Sequence, residues 1–378
     1  MTGQELWDHA VEEHTLARRT NGTLTREAYA TMWWGDTTSK AFDGLKTMLQ
    51  SVRTFDATRE FIIMTPVPEQ QLASPPPVDA NLLALQRAFP PVVIKHVPFL
   101  TIFNNPNTTC TSKVLGGCGM GTAKAYAGGK RPPKQTYDSY VYSYTKFALW
   151  NLTDYSKVFY IDNDVLVMQS LEGLWATPLG TRHIAAAALV IKARTNTGFP
   201  EAACDADGRI PKNLHPGRVK FNAGIHMMTP SAGLYAAIRR FMATQWRYSY
   251  KTPCTGDQRY WNSLLGHGRM HCWPMAANCR DPWFIKREAP PDMEWPVSRL
   301  SRCLESTQAH QNGTRVQMPV PYAVHMACDT KPWLEHMSKT FYAMEWRRQL
   351  AKANAKLGLA APTETAPPSS LISIGRRT

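Results

Sequence analysis

No stretch of this 378-residue chain is apolar for long enough to cross a bilayer. The longest uninterrupted run, Ile184 to Ile191 (IAAAALVI), has the length and composition of a buried strand. The opening sequence, MTGQELWDHAVEEHTLARR, is polar and amphipathic and lacks the apolar core of a secretory leader, so a cytoplasmic location is expected. None of the eight cysteines (110, 118, 204, 254, 272, 279, 303 and 328) forms a C-x-x-C pair, which argues against a structural zinc site. Their even number, together with sequons at Asn21, Asn107, Asn151 and Asn312, points the other way on compartment, toward a Golgi lumen. No block of lysine and arginine marks a nucleic-acid patch; the densest is Lys130-Arg131 with Lys134. No internal repeat is present. Acidic residues are few, 29 against 43 basic ones, giving a net charge of +14. That balance suits an anionic ligand such as a nucleotide diphosphate, and equally a basic solvated surface.

The apolar pattern alternates between strand and helix. Ala28–Met32, Phe61–Met64 and Val92–His96 read as strands, and Phe42–Arg53 and Leu82–Phe89 read as helices. Tyr140–Trp150 reads as a helix leading into a strand at Val158–Ile161, with a helical turn at Leu171–Trp175 and a further helix at Tyr235–Trp246. This order predicts an α/β fold with a βαβ layout and a mainly parallel sheet. Residues 4–19 are expected to form a short helix in an N-terminal extension spanning 1–26, ahead of one main domain at 27–348. Within it, residues 104–136 are rich in Gly, Thr, Asn and Pro and form a long loop. His271–Pro296 looks irregular, and 349–378 has the composition of a disordered tail.

The most informative segment is Lys157–Trp175, KVFYIDNDVLVMQSLEGLW. Asp162 and Asp164 sit between two apolar runs, where carboxylates are costly to desolvate unless something positive meets them. In an extended chain, side chains at i and i+2 share a face, so the two can share one cation. Ligands of open α/β sheets bind at the carboxyl ends of strands. A divalent-metal site at a strand end is the simplest reading.

Four further segments follow or precede it in a fixed order: TKFALWNLTDYSKV at 145–158, FNAGIHMMTP at 221–230, GDQRYWN at 256–262 and HMACDTKPW at 325–333. Together they closely resemble the glycogenin-like glycosyltransferases of family 8, over roughly residues 28–335. The resemblance implies a GT-A fold: a single Rossmann-like nucleotide-binding domain with a mixed, mainly parallel central sheet flanked by helices. It also implies a retaining, metal-dependent transfer of a hexose from a UDP-sugar (glucose, galactose or N-acetylglucosamine) to a hydroxyl on a glycan, protein or small molecule. A homodimer stays open.

By the same resemblance, Asp162, Asp164 and His325 are the metal ligands. Carboxylate oxygens with one imidazole suit Mn²⁺, with Mg²⁺ as the alternative. Lys331 is implied at the pyrophosphate, and Lys146 near the phosphates and donor sugar. Asn163, Asn222, Ala223 and Gly224 are implied beside the donor, where Gly224 permits close backbone approach. Asp257 and Gln258 are implied at the reaction centre, although Asp257 also suits a helix N-cap. Ala30 and Thr31 match the uridine-binding start of the fold, with Trp33 as a base-stacking candidate. Two positions depart from the pattern. Cys328 replaces a glycine whose backbone N–H approaches phosphate, and Cys254 replaces an acidic residue of glycogenins.

These departures motivate a second reading, a binding protein with a weakened transferase site. A third, a metal-dependent nucleotidyltransferase, calls for a Gly-rich phosphate loop at the first strand, where this chain has YATMWWGDTTSK.

Overall fold

The structure is a computed structural model that describes residues 26–100, 143–180, 183–190, 219–244, 261, 271–273, 279–280, 310–311, 314–315, 323–325 and 341–360. Its strands are β1 (Glu27–Met32), β2 (Glu60–Val67), β3 (Val92–Pro98), β4 (Lys157–Ile161), β5 (Val165–Val167) and β6 (Ile184–Val190). They continue with β7 (Val219–Met228), β8 (His271–Trp273), β9 (Cys279–Arg280), β10 (His310–Gln311), β11 (Thr314–Arg315) and β12 (Ala323–His325). The helices are α1 (Lys40–Phe55), α2 (Ala80–Ala88), α3 (Glu172–Trp175), α4 (Ala232–Thr244) and α5 (Phe341–Lys356).

A central sheet runs in the order β3-β2-β1-β4-β7-β6-β8. β3, β2, β1 and β4 are mutually parallel, β7 runs antiparallel to β4 and β6, and β8 rejoins in parallel with β6. The sheet is therefore mixed and mainly parallel, and helices flank it, as expected. Its inner strands are apolar on both faces because both faces are covered. Ala28, Ala30, Met32, Ile62, Met64, Val158 and Tyr160 point into one core layer, with Tyr144, Phe147, Trp150 and α4 residues Leu234 and Ile238. Tyr29, Phe61, Ile63, Phe159 and Ile161 point into the other, against α1 and α2. The strict alternation follows from the two-residue period of a strand.

Local chemistry sets the boundaries. α2 begins at Ala80, two residues before the expected Leu82, because Asp79 caps it by accepting from the backbone N–H of Asn81 at 2.8 Å. The segment expected as a helix over Tyr140–Trp150 is a 3-10 helix, Tyr144–Asn151. Tyr144, Phe147 and Trp150 recur every third residue, which aligns them on one edge of a three-residue turn. Phe147 stacks on Trp261 with centroids 4.5 Å apart. In the region expected to be irregular, β8 extends the main sheet and β9 pairs with β12.

A small second sheet, β5-β12-β9, leans on α5. Leu166 and Val324 pack against Trp346 and Leu350. α5 also lies along α1, where Lys46 Nζ donates to Asn354 Oδ1 at 3.0 Å. The expected start of the tail, residue 349, falls inside this helix: Leu350 and Ala353 are buried, and the helix runs on to Lys356. The expected N-terminal helix at 4–19, the loop at 104–136 and the tail beyond 360 lie outside the described residues. Among the described residues, no helix is long and apolar enough to cross a membrane.

Candidate metal and nucleotide site

β4 ends at Ile161, at the same end of the sheet as the C-termini of β1 and β2. The chain then reverses direction. Asp162, Asn163 and Asp164 form a turn closed by the Val165 N–H donating to the Asp162 carbonyl at 3.1 Å. This corrects the extended-chain expectation. The two carboxylates come together through a turn, for which Asp and Asn are favoured residues.

The turn launches β5, and β12 pairs with it antiparallel, setting His325 opposite Val165. Pairing next to the turn is what carries His325 to the acidic pair from more than 160 positions away in sequence. His325 Nε2 lies 3.1 Å from Asp164 Oδ1 and 4.0 Å from Asp162 Oδ2. One ligand atom from each of the three residues falls within 4.8 Å of the others. Asp164 and His325 are only 5% and 6% exposed. A buried carboxylate beside a half-buried one favours a cation between them. Two carboxylate oxygens and an imidazole nitrogen at these separations could hold a divalent metal ion.

Lys146 faces the same cluster from the 3-10 helix. Its Nζ is 2.8 Å from Asp162 Oδ1 and 3.0 Å from Oδ2. Tyr160, two residues earlier on the same strand face, donates its hydroxyl to Asp162 Oδ1 at 2.7 Å. β7 supports Tyr160 from the other side: the register pairs Tyr160 with His226, and their rings stack 5.0 Å apart. His226 donates from Nδ1 to the Ala223 carbonyl at 3.2 Å. Burial, and then the nearby Lys146 ammonium, push its pKa down to about 3, so it stays neutral at ordinary pH. Sequence reasoning missed Tyr160 and His226. The same i, i+2 rule applied to Asp162 would have found Tyr160, but the cross-strand partner is visible only once β4 and β7 are in register.

The remaining expected site residues fall into four groups. Ala223 and Gly224 lie on β7 beside Asp162, whose backbone N–H donates to the Gly224 carbonyl at 2.8 Å; Asn222 is on the same strand. Asn163 is half-buried in the turn. At β1, Ala30 and Thr31 are sealed in the sheet, and Trp33 is 4% exposed with its ring edge-on to Phe42 at 5.3 Å. Asp257, Gln258, Cys328 and Lys331 lie outside the described residues.

Comparison with known proteins agrees with the motifs. The profile described as glycosyl transferase family 8 matches residues 107–270. A UDP-glucuronate:xylan alpha-glucuronosyltransferase 2 of Arabidopsis thaliana is 49% identical over 49 residues, 13% of this chain and 8% of that protein. A putative UDP-glucuronate:xylan alpha-glucuronosyltransferase 3 of the same plant is 23% identical over 251 residues, covering 57% of this chain and 33% of that protein. The chain thus spans a third or less of the length of these relatives. Among solved structures, the galactosyltransferase LgtC in complex with donor and acceptor sugar analogs aligns with 87% of this chain and 96% of its own, at 18% identity and a TM-score of 0.48.

Proposed function

From a chain that carries a glycosyl transferase family 8 segment at residues 107–270, we propose a metal-dependent transferase that moves a hexosyl unit from a UDP-sugar to a hydroxyl acceptor with retention of configuration. The observation that carries this reading is the Asp162, Asp164 and His325 cluster at the carboxyl end of β4, with Lys146 against it. Cleaving a sugar nucleotide separates an anionic pyrophosphate from a cation-like anomeric carbon. The departing charge needs a cation held by fixed groups.

Asp162, Asp164 and His325 would hold Mn²⁺, which when bound supplies Lewis-acid neutralisation of the diphosphate. Tyr160 fixes the rotamer of Asp162, and β12 fixes His325. Lys146 neutralises Asp162 and stands at the rim of the phosphate position. By the family motif, Lys331 would serve as a second phosphate cation, and Cys328 occupies the sequence position of the glycine that meets phosphate. Asn163, Asn222, Ala223 and Gly224 line the donor side, while Asp257 and Gln258 contact the sugar. In transfer, the anomeric C–O bond to phosphate breaks and the acceptor oxygen bonds to the same face. The acceptor proton passes to the leaving phosphate oxygen, so no protein base is required.

Glucose, galactose, N-acetylglucosamine and glucuronic acid donors all suit this site, and the printed activity of the plant relatives makes UDP-glucuronate one to test early. The test is Mn²⁺-dependent UDP release over a panel of UDP-sugars, for wild type, Asp162→Asn and Asp164→Asn. Release by wild type and its loss in both variants is expected. Equal rates in all three would sink the assignment. Tight binding of UDP with Mn²⁺ but no turnover on any donor would favour a binding protein.

A further inference from the structure

Gly224 has a role in the structure that a donor contact does not require. A Cβ built on it would lie 2.1 Å from His325 Cε1, 2.6 Å from Nδ1 and 2.9 Å from Nε2. All three are atoms of a rigid ring, and the shortest approach is far inside van der Waals contact. The Gly224 backbone is held on β7, where its carbonyl accepts from the Asp162 N–H at 2.8 Å. The imidazole is held on β12, which pairs with β5 through His325 and Val165. His325 itself is buried, with Nε2 3.1 Å from Asp164 Oδ1. The ring is therefore clasped between two backbones, and the missing side chain at 224 is the notch that receives it.

We propose that Gly224 is a positioning residue for the cation site: its lack of a Cβ lets the His325 imidazole reach Asp164. The close approach that glycine permits at this point of β7 is to the imidazole, whatever ligand lies beyond. The inference rests on the metal reading only for its functional consequence; the steric claim stands without it. A methyl group at 224 must either push the ring away from Asp164 or part β7 from the end of β4.

The test is a double-substitution cycle on the full chain, read two ways. In metal-free protein, Gly224→Ala should lower the melting temperature in the wild-type background and have little effect in His325→Ala, where the ring is gone. Loss of the Gly224→Ala fold with its recovery in Gly224→Ala/His325→Ala supports the claim equally. The same loss in both backgrounds, including failure of both to fold, overturns it. The second readout is Mn²⁺ affinity by electron paramagnetic resonance titration. Gly224→Ala should weaken it by about tenfold or more, the scale of losses when the support of a metal ligand is disturbed. Leu85→Ala, a buried substitution on α2 that lowers the melting temperature away from the site, should leave it within about twofold. Equal losses of affinity in the two would show that Gly224 acts through general stability alone. Unchanged Mn²⁺ binding in His325→Ala would remove the metal reading yet leave the stability cycle intact.

Discussion

The two ends of the same parallel strands carry charge in opposite ways. At the N-terminal end of β1, β2 and β4, Arg59 reaches three carboxylates: Asp56 at 2.7 Å, Glu27 at 3.0 Å, and Glu172, whose Oε2 lies 3.0 Å from Nη2. Arg53 donates to the carbonyls of Asp56, Arg59 and Pro91, and Arg26 pairs with Glu60. At the C-terminal end, Asp162 and Asp164 face a lysine, an imidazole and a tyrosine hydroxyl. Arginine is a planar fork that fixes several acceptors at once, whereas lysine is a point charge on a flexible stem. The first end is a tie between strand starts and the first helical turn of α3. The second holds carboxylates whose present partners can be supplemented by an arriving cation. Charge density alone does not mark a site; the two ends differ in the kind of partner, arginine forks at one and a lysine, a hydroxyl and an imidazole at the other.

This contrast yields four graded predictions. Asp164→Asn should cut Mn²⁺-dependent UDP release by ~100-fold or more, the scale of losing charge stabilisation at a departing diphosphate, while the metal-free protein keeps its melting temperature. Arg59→Ala should show the reverse: about 2 kcal/mol less stable in urea unfolding, because it leaves the buried Asp56 without its cation, with unchanged activity per folded molecule. Arg59→Lys should recover only part of that loss.

Acid should separate the ends as well. His226 has a folded pKa of about 3 against an ordinary 6.5, both lower bound and upper bound of its window. Because the unfolded chain binds the extra proton, stability present above 6.5 is lost as pH falls toward 3, at about 1.4 kcal/mol per pH unit. By pH 5 the loss is about 2 kcal/mol, and His226→Phe should flatten that slope. Asp56 responds only at lower pH. Burial raises its pKa, but the backbone and side-chain hydrogen bonds of Arg59 outweigh this and hold it at about 2 against 3.8. Its contribution is in place above 3.8 and is lost as pH falls from there toward 2. Unfolding midpoints from pH 7 down to pH 2.5 for wild type, His226→Phe and Asp56→Asn would display the two windows. The smallest effect is expected from Tyr160→Phe, which removes the hydroxyl on Asp162: Mn²⁺ affinity falls by up to about tenfold with little change in melting temperature. No change in affinity would show that Lys146 alone holds Asp162.

The fold was legible where local pattern and tertiary packing agree. Continuous apolar runs gave β1, β2 and β4, and apolar spacing gave α1, because those residues face core layers on the sides their periods specify. The acidic pair was legible as two carboxylates between apolar runs, and the family motifs then named His325 as their companion. Features made by chain reversal or register were not legible. The pairing of Tyr160 with His226 depends on the register of two segments far apart in sequence, and the turn at Asp162–Asp164 closes through a local Val165–Asp162 hydrogen bond that strand alternation does not reveal. The burial of Trp33 against Phe42 of α1 was likewise not legible, since the contact joins a strand end to a helix that follows it. Gly224 was read as permitting a close approach; that the His325 ring makes one there is visible only in the fold.

The most direct test of the central claim is calorimetric titration of UDP with and without Mn²⁺ on wild type, Asp162→Asn, Asp164→Asn and His325→Ala. Wild type is expected to bind UDP tightly only with Mn²⁺, and each substitution to abolish this metal dependence. UDP binding of equal strength with and without Mn²⁺, unchanged across all four proteins, would contradict that claim.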